Sequence, residues 1–271
     1  MTMTMTTSPT TSTLKPSSSR RRTPIPMSRI VAVELRKMFD TRSGFWLLMS
    51  IGITSLLAIA AVIAFAPDEV QNYETYATAS GAPVAIILPM IATLSVTSEW
   101  SQRSGLTTFT LVPGRGRVMA AKAVGTVLVG VVAMLVTIAV GAAGNVVGTT
   151  ISGVATTWDV TTGELLNGVL AGVINMTIGF MLGVVIRNSA GAIVAYFVYT
   201  LVLPGVFGAL AAFQAWFGDL QPWVDLNFAV TRLYDEQMTG QMWAQLGLAS
   251  LIWLVLPLAV GLMLLRRSEV K

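Results

Sequence analysis

Six long apolar runs separated by short polar segments set the pattern of the chain. A hydrocarbon core about 30 Å thick is crossed by about 20 helical residues at about 1.5 Å each. Residues 45–66, 123–147, 165–186, 190–213 and 243–265 meet that length. The run at 82–97 is shorter; Pro83 suits a first turn, Pro89 kinks the middle, and the helix is predicted to continue through Glu99, giving a span of about 82–100. Ahead of the first span, residues 27–42 read as an amphipathic helix. At about 100° per residue, Met27, Val31, Leu35, Met38 and Phe39 share one face, and Arg29, Arg36, Lys37 and Asp40 share the other. Ser28 is the predicted cap. The segment is too charged to span, so it is predicted to lie along the membrane surface.

The longest basic interruption between spans is 97–122. Ser98 is placed to cap a short helix, with Glu99 four residues before Arg103 and Gly105 as its end. Leu106, Phe109 and Val112 recur every three residues and predict one more short helix before the Pro113-Gly114 turn. Arg115, Arg117 and Lys122 follow, so Arg103, Arg115, Arg117 and Lys122 against Glu99 leave the loop at +3. Near the other end of the chain, 214–241 mixes aromatic and acidic residues around Pro222. Two short helices at the outer interface account for it, and so does an aromatic belt anchoring the last two spans.

Composition agrees with a membrane protein: 54% hydrophobic and only 11% charged residues in 271, with a mean hydropathy of +0.72. The fold class read from the sequence is an all-α integral membrane protein of six transmembrane helices. With no Cys and no His, disulfides, Cys or His metal sites and Ser-His or Cys-His nucleophile pairs are excluded. Residues 1–26 are rich in Thr, Ser and Pro, carry Lys15 and Arg20-Arg21-Arg22, and read as a disordered tail. Placing the N-terminus in the cytoplasm puts every basic residue except Arg232 on that side and Asp68, Glu69, Glu74, Asp159 and Glu164 outside. The chain is therefore expected to have both termini cytoplasmic, and its net charge of +4 records topology rather than a nucleic-acid partner.

No Gly-Lys dipeptide occurs, so the phosphate-cradling GxxxxGK[ST] loop is absent, and no span centre carries a charged residue. Energy for transport would have to come from another chain. Asn167, Asn175, Thr93, Ser95, Tyr196 and Tyr199 are the mild polar groups within the spans. Met90, Thr93, Asn175, Tyr196, Tyr199 and Phe207 form the candidate substrate path, against the simpler reading of interhelical hydrogen bonds worth roughly 0.6 kcal/mol each. The pairs Gly144/Gly148, Gly168/Gly172 and Gly179/Gly183 permit close helix contact without specifying a partner. Pro204 and Pro257 are candidate hinges or tolerated kinks.

The entry ELRKMFDTRSGFW (residues 34–46), a second span running into SEWSQRSGLTTFTLVPGRGRVMAAK, six spans and a terminal LLRRSEV resemble the ABC type-2 permeases, the membrane subunits of bacterial ATP-binding-cassette exporters. The resemblance covers residues 29–271, and the pattern Glu99, Arg103, Gly105, Arg117 and Lys122 carries most of it. It implies a connecting helix at 27–42 and a coupling helix in the 97–122 loop. It also implies second and fifth spans at a dimer interface beside the substrate route. A cytoplasmic ATPase subunit holding ATP and Mg, a second copy or sister permease, membrane lipid, and a bacterial inner-membrane location are implied with it. Glu99, Arg103, Gly105, Phe109, Arg115, Arg117 and Lys122 are the expected ATPase-coupling residues, and the chain itself is expected to be neither an enzyme nor a cofactor or metal binder. The expected activity is export of a drug-like or lipid-like amphiphile. A non-transporting membrane partner, with an immunity or sensor-anchoring role, is the alternative. An intramembrane enzyme lacks a His, Cys or buried acid to act as base.

Overall fold

The computed structural model describes residues 25–101, 115–235 and 237–267. Among them there is no strand, and six helices are long and apolar enough to cross a membrane. The protein is a helical, multi-pass membrane protein. In chain order the helices are α1 (Met27–Phe39), α2 (Arg42–Phe65), α3 (Tyr73–Ser101), α4 (Arg115–Ser152), α5 (Thr162–Ile186) and α6 (Ser189–Phe213). Two short helices follow, α7 (Ala215–Val224) and α8 (Leu226–Asp235), and then α9, built from Gly240–Ser250 and Leu256–Arg267 about a π turn.

Polar contacts sort the helix ends into two groups. At one end Lys122 of α4 donates to the Ser95 carbonyl of α3 (2.9 Å), Ser189 of α6 donates to Thr97 of α3 (2.8 Å), and Arg187 after α5 reaches the Gly261 carbonyl of α9 (3.4 Å). At the other, the Glu74 amide donates to Asp159 (3.0 Å) and Tyr73 stacks on Trp158 at 5.4 Å. These are the basic and the acidic end.

The helix boundaries correct several sequence expectations. Pro26 precedes α1 and no side chain caps it, so Ser28 lies within the first turn rather than capping it. The helix stops at Phe39 because the Thr41 hydroxyl accepts the Gly44 amide (3.1 Å) and starts α2 there. Helix α3 begins at Tyr73, nine residues before the predicted 82, where the Asn72 side chain accepts the Thr75 amide (3.0 Å). Its first turns are poor in helix formers but are held by Tyr73 and Tyr76, both buried. At the basic end α3 runs on to Ser101, so Ser98 lies within that helix. Helix α4 already contains Arg115, Arg117 and Lys122, which shortens the interval between the two helices to 102–114. The short helix expected around Leu106, Phe109 and Val112, and the tail at 1–24, lie outside the described residues.

Helices α3 and α5 form the centre: 44% and 50% of their apolar windows are buried, against 11% for α2 and α6 and 17% for α9. The outer helices therefore keep wide apolar faces, such as Trp46, Leu56 and Leu57 on α2, for surrounding lipid. The central pair cross closely at Gly179 and Gly183. A Cβ on Gly179 would collide with the Pro89 carbonyl oxygen, and one on Gly183 would lie 3.0 Å from the Thr93 oxygen. The close approach lets Thr93 donate across to the Gly179 carbonyl (2.8 Å). Gly144 and Gly148 instead pack on Ile59 and Tyr76, and Gly172 on Met134.

Pro83, expected in a first turn, lies inside α3 because that helix begins at Tyr73, and three other prolines have a local remedy. Pro89 has no N–H for the Ala85 carbonyl, and that oxygen accepts the Tyr196 hydroxyl (2.9 Å) from α6. Pro204 and Pro257 are each preceded by a π turn, Val198–Val202 and Leu251–Val255, whose closing bonds run from Leu203 to Val198 and from Leu256 to Leu251. Helices α7 and α8 are the two short helices expected in 214–241. Helix α8 inserts Leu226, Ala229, Val230 and Leu233 into a core shared with α5, α6 and α9. Asp225 begins it by accepting the Phe228 amide (3.2 Å), and the Trp253 indole donates to the Val224 carbonyl (2.6 Å).

Candidate functional site

The basic end holds a three-helix joint. Helix α1 buries Ile30, Glu34 and Met38, spaced by four, against α3 and α4, with Leu35 beside Gly125. Glu34 thus occupies the middle of the apolar stripe and is 3% exposed. Its Oε2 is paired with Lys122 of α4, itself 3% exposed, and its Oε1 accepts from Lys37 at 2.7 Å. Lys122 spends a second proton on the Ser95 carbonyl of α3 (2.9 Å). One buried ion pair therefore ties α1, α3 and α4 together. Burial by itself would push the Glu34 carboxyl up; the Lys122 charge and hydrogen bond, with those of Lys37, outweigh it and hold the carboxyl below its usual value.

This joint changes the role of Lys122. Expected on the docking loop, it is enclosed, so its charge faces Glu34 rather than a partner. Arg117 is exposed on the first turn of α4 and donates to the Ile25 carbonyl just before α1. Arg115 opens α4 and Glu99 lies in the last turn of α3, which places the ends of the interval on the same end of the bundle as the joint. Arg103, Gly105 and Phe109 lie outside the described residues. Trp100 packs inward against Val118, Met119 and Leu265. The turn at Arg187 is tight: Arg187 adopts φ 56° and Asn188 caps α6 through the Gly191 amide (2.9 Å).

Glu34 is the residue that sequence reasoning missed. At about 100° per residue it falls between Ile30 and Met27, a lone carboxylate at the edge of the apolar face and about 40° from Met38. That placement was the available signal.

The six candidate substrate-path residues do not line one common cavity within the single chain. Thr93 is fully buried in the α3–α5 contact, Tyr196 supports Pro89, and Tyr199 packs on Trp253 at 5.9 Å. Phe207 stacks on Phe217 (5.6 Å), and Met90 packs against the same core. Of the six, Asn175 alone lines a sizeable cavity, which opens at the acidic end. The other five make contacts within the bundle. Among the described residues no group of three acidic side chains is arranged to hold a metal ion. Compared with known proteins, the chain matches no family model and no curated sequence.

Proposed function

We propose that the chain is the membrane-spanning subunit of an ATP-binding-cassette exporter, working as a pair with itself or a sister permease. In this reading a separate cytoplasmic ATPase supplies the energy. The supporting observation is the buried Glu34–Lys122 pair with its bond to the Ser95 carbonyl. It fastens the amphipathic helix to the two spans that flank the longest basic interval between spans. A push on residues 97–122 is then delivered to α1, α3 and α4 together, and through the Gly179 and Gly183 crossing to α5. Such a rigid group can shift as one body between inward-open and outward-open packings. The chain sits in the bacterial inner membrane with the basic end in the cytoplasm, as the positive-inside bias requires. ATP and Mg belong to the partner.

The test is co-purification. An ATPase should accompany the wild-type chain from its native membrane, and Arg115→Glu/Arg117→Glu should lose at least tenfold of it while the chain itself stays folded. Undiminished association overturns the docking face. A wild-type chain that recovers no nucleotide-hydrolysing partner overturns the exporter reading in favour of a non-transporting membrane protein.

A further inference from the structure

A cavity of about 410 Å³ lies within the single chain, between α3, α4, α5 and α8. Small residues line its facing helices, Ala77, Gly81 and Ala85 on α3 and Gly168 on α5. The volume falls in the range of about 300–1,000 Å³ typical of small-ligand sites. Its lining along α5 runs from Glu164 to Asn175, eleven residues or about 16 Å of helix. Leu88, Pro89 and Met134 make the deep part apolar, and Asn175 faces it with no hydrogen-bond partner among the described residues. Charge is confined to the mouth and has one sign. Glu74 in the first turn of α3 and Glu164 in the first turn of α5 both line it, and Asp159 accepts the Glu74 amide at 3.0 Å. Among the described residues none of the three carboxylates has a cationic partner. Arg232, the one basic residue that the positive-inside reading leaves on this side, lies instead over the Phe228 ring at 4.6 Å.

We propose that this cavity binds a cationic single-chain amphiphile, an alkylamine or alkylammonium, with its chain in the apolar slot and its head between Glu74 and Glu164. An apolar slot closed by unpaired carboxylates favours that occupant over the alternatives. A neutral chain would leave the carboxylates without a counter-charge, and an anionic lipid head would be repelled. The site goes beyond the exporter reading. Only its place on an export route rests on that reading, while binding is a property of the isolated chain.

The experiment uses the full chain in nanodiscs of zwitterionic lipid and measures radiolabelled dodecyltrimethylammonium bound in excess of empty nanodiscs, below its micellar concentration. Saturable binding is expected, at least tenfold weaker for Glu74→Gln/Glu164→Gln, and dodecyl sulfate, with the same chain, should show none. The substitutions keep the fold, because a glutamine side-chain oxygen at position 164 still accepts the Thr161 amide in the cap that Glu164 now makes (2.7 Å). Unchanged melting of the variant verifies it. Glu69→Gln, at the same end but outside the cavity, should bind as wild type does. Equal binding by the Glu74→Gln/Glu164→Gln variant, or equal uptake of dodecyl sulfate, overturns the site. So does a co-purified phospholipid that fills the slot and excludes the amine. None of these results alters whether an ATPase co-purifies, so the two readings fail separately.

Discussion

Glu34→Gln is the most informative single change in the molecule. It removes one charge from a pair whose members are each 3% exposed, and leaves the Lys122 ammonium enclosed beside the Ser95 carbonyl and a neutral amide. Stranding one member of a buried pair costs about 3–5 kcal/mol. The two single variants should differ within that range. Lys122→Met leaves Glu34 still neutralised by Lys37 at 2.7 Å, so its loss belongs near about 3 kcal/mol, and Glu34→Gln near about 5 kcal/mol. Glu34→Leu/Lys122→Met removes both charges and should return to within about 1 kcal/mol of wild type. In a thermal melt of purified protein, at about 2–4 °C per kcal/mol for a chain of this size, Glu34→Gln should melt about 10–20 °C early. The pH dependence has a definite sign. Because the folded carboxyl is held low, its contribution is complete above the unfolded value of about 4.3 and is lost as pH falls through the lowered one. Acidification below about pH 4 should therefore erode wild type more steeply than Glu34→Gln. A Glu34→Gln protein that melts with wild type, or a double variant worse than both singles, would refute a closed and dehydrated joint.

Two further outcomes test the frame around that joint. Gly179→Ala sets a methyl against the Pro89 carbonyl oxygen and should cost about 1–3 kcal/mol. Gly205→Ala, with nothing within 4 Å of the added carbon, should be neutral or gain up to about 1 kcal/mol of helix propensity; equal melts for the two would remove the close α3–α5 crossing. The chain has no native cysteine, so single cysteines report topology cleanly. An impermeant maleimide should label Glu69→Cys in intact cells and Arg36→Cys only after permeabilisation, and the reverse pattern would invert the orientation.

The spans were legible because about 20 consecutive apolar residues leave few other structures open. The short outer helices were legible as far as their existence, from the mix of aromatic and acidic residues around Pro222. The first turns of α3 were not, since Thr75, Thr78, Ser80 and Gly81 argue against a helix that only burial of Tyr73 and Tyr76 sustains. Glu34 could be read as one more charge on a charged helix until Lys122, 88 residues away, supplied its partner. The cavity was illegible for a related reason. Its walls include small residues such as Gly81 and Gly168 on two different helices, and a gap has no periodicity within one segment.

Helix α4 is 38 residues long, about 57 Å of unbroken rod, nearly twice the hydrocarbon thickness of about 30 Å. More than 20 Å of it is therefore available beyond the lipid, shared between its two ends. Pivoting about its midpoint, a tilt of about 10° would carry each tip sideways by about 5 Å. One tip begins at Arg115, a few residues from the Lys122 joint, and the other ends at Ser152, whose hydroxyl donates to Gln71 at 2.7 Å. A rod gripped at both tips turns a displacement on one face of the membrane into an equal and opposite displacement on the other, with no residue along its length having to change conformation.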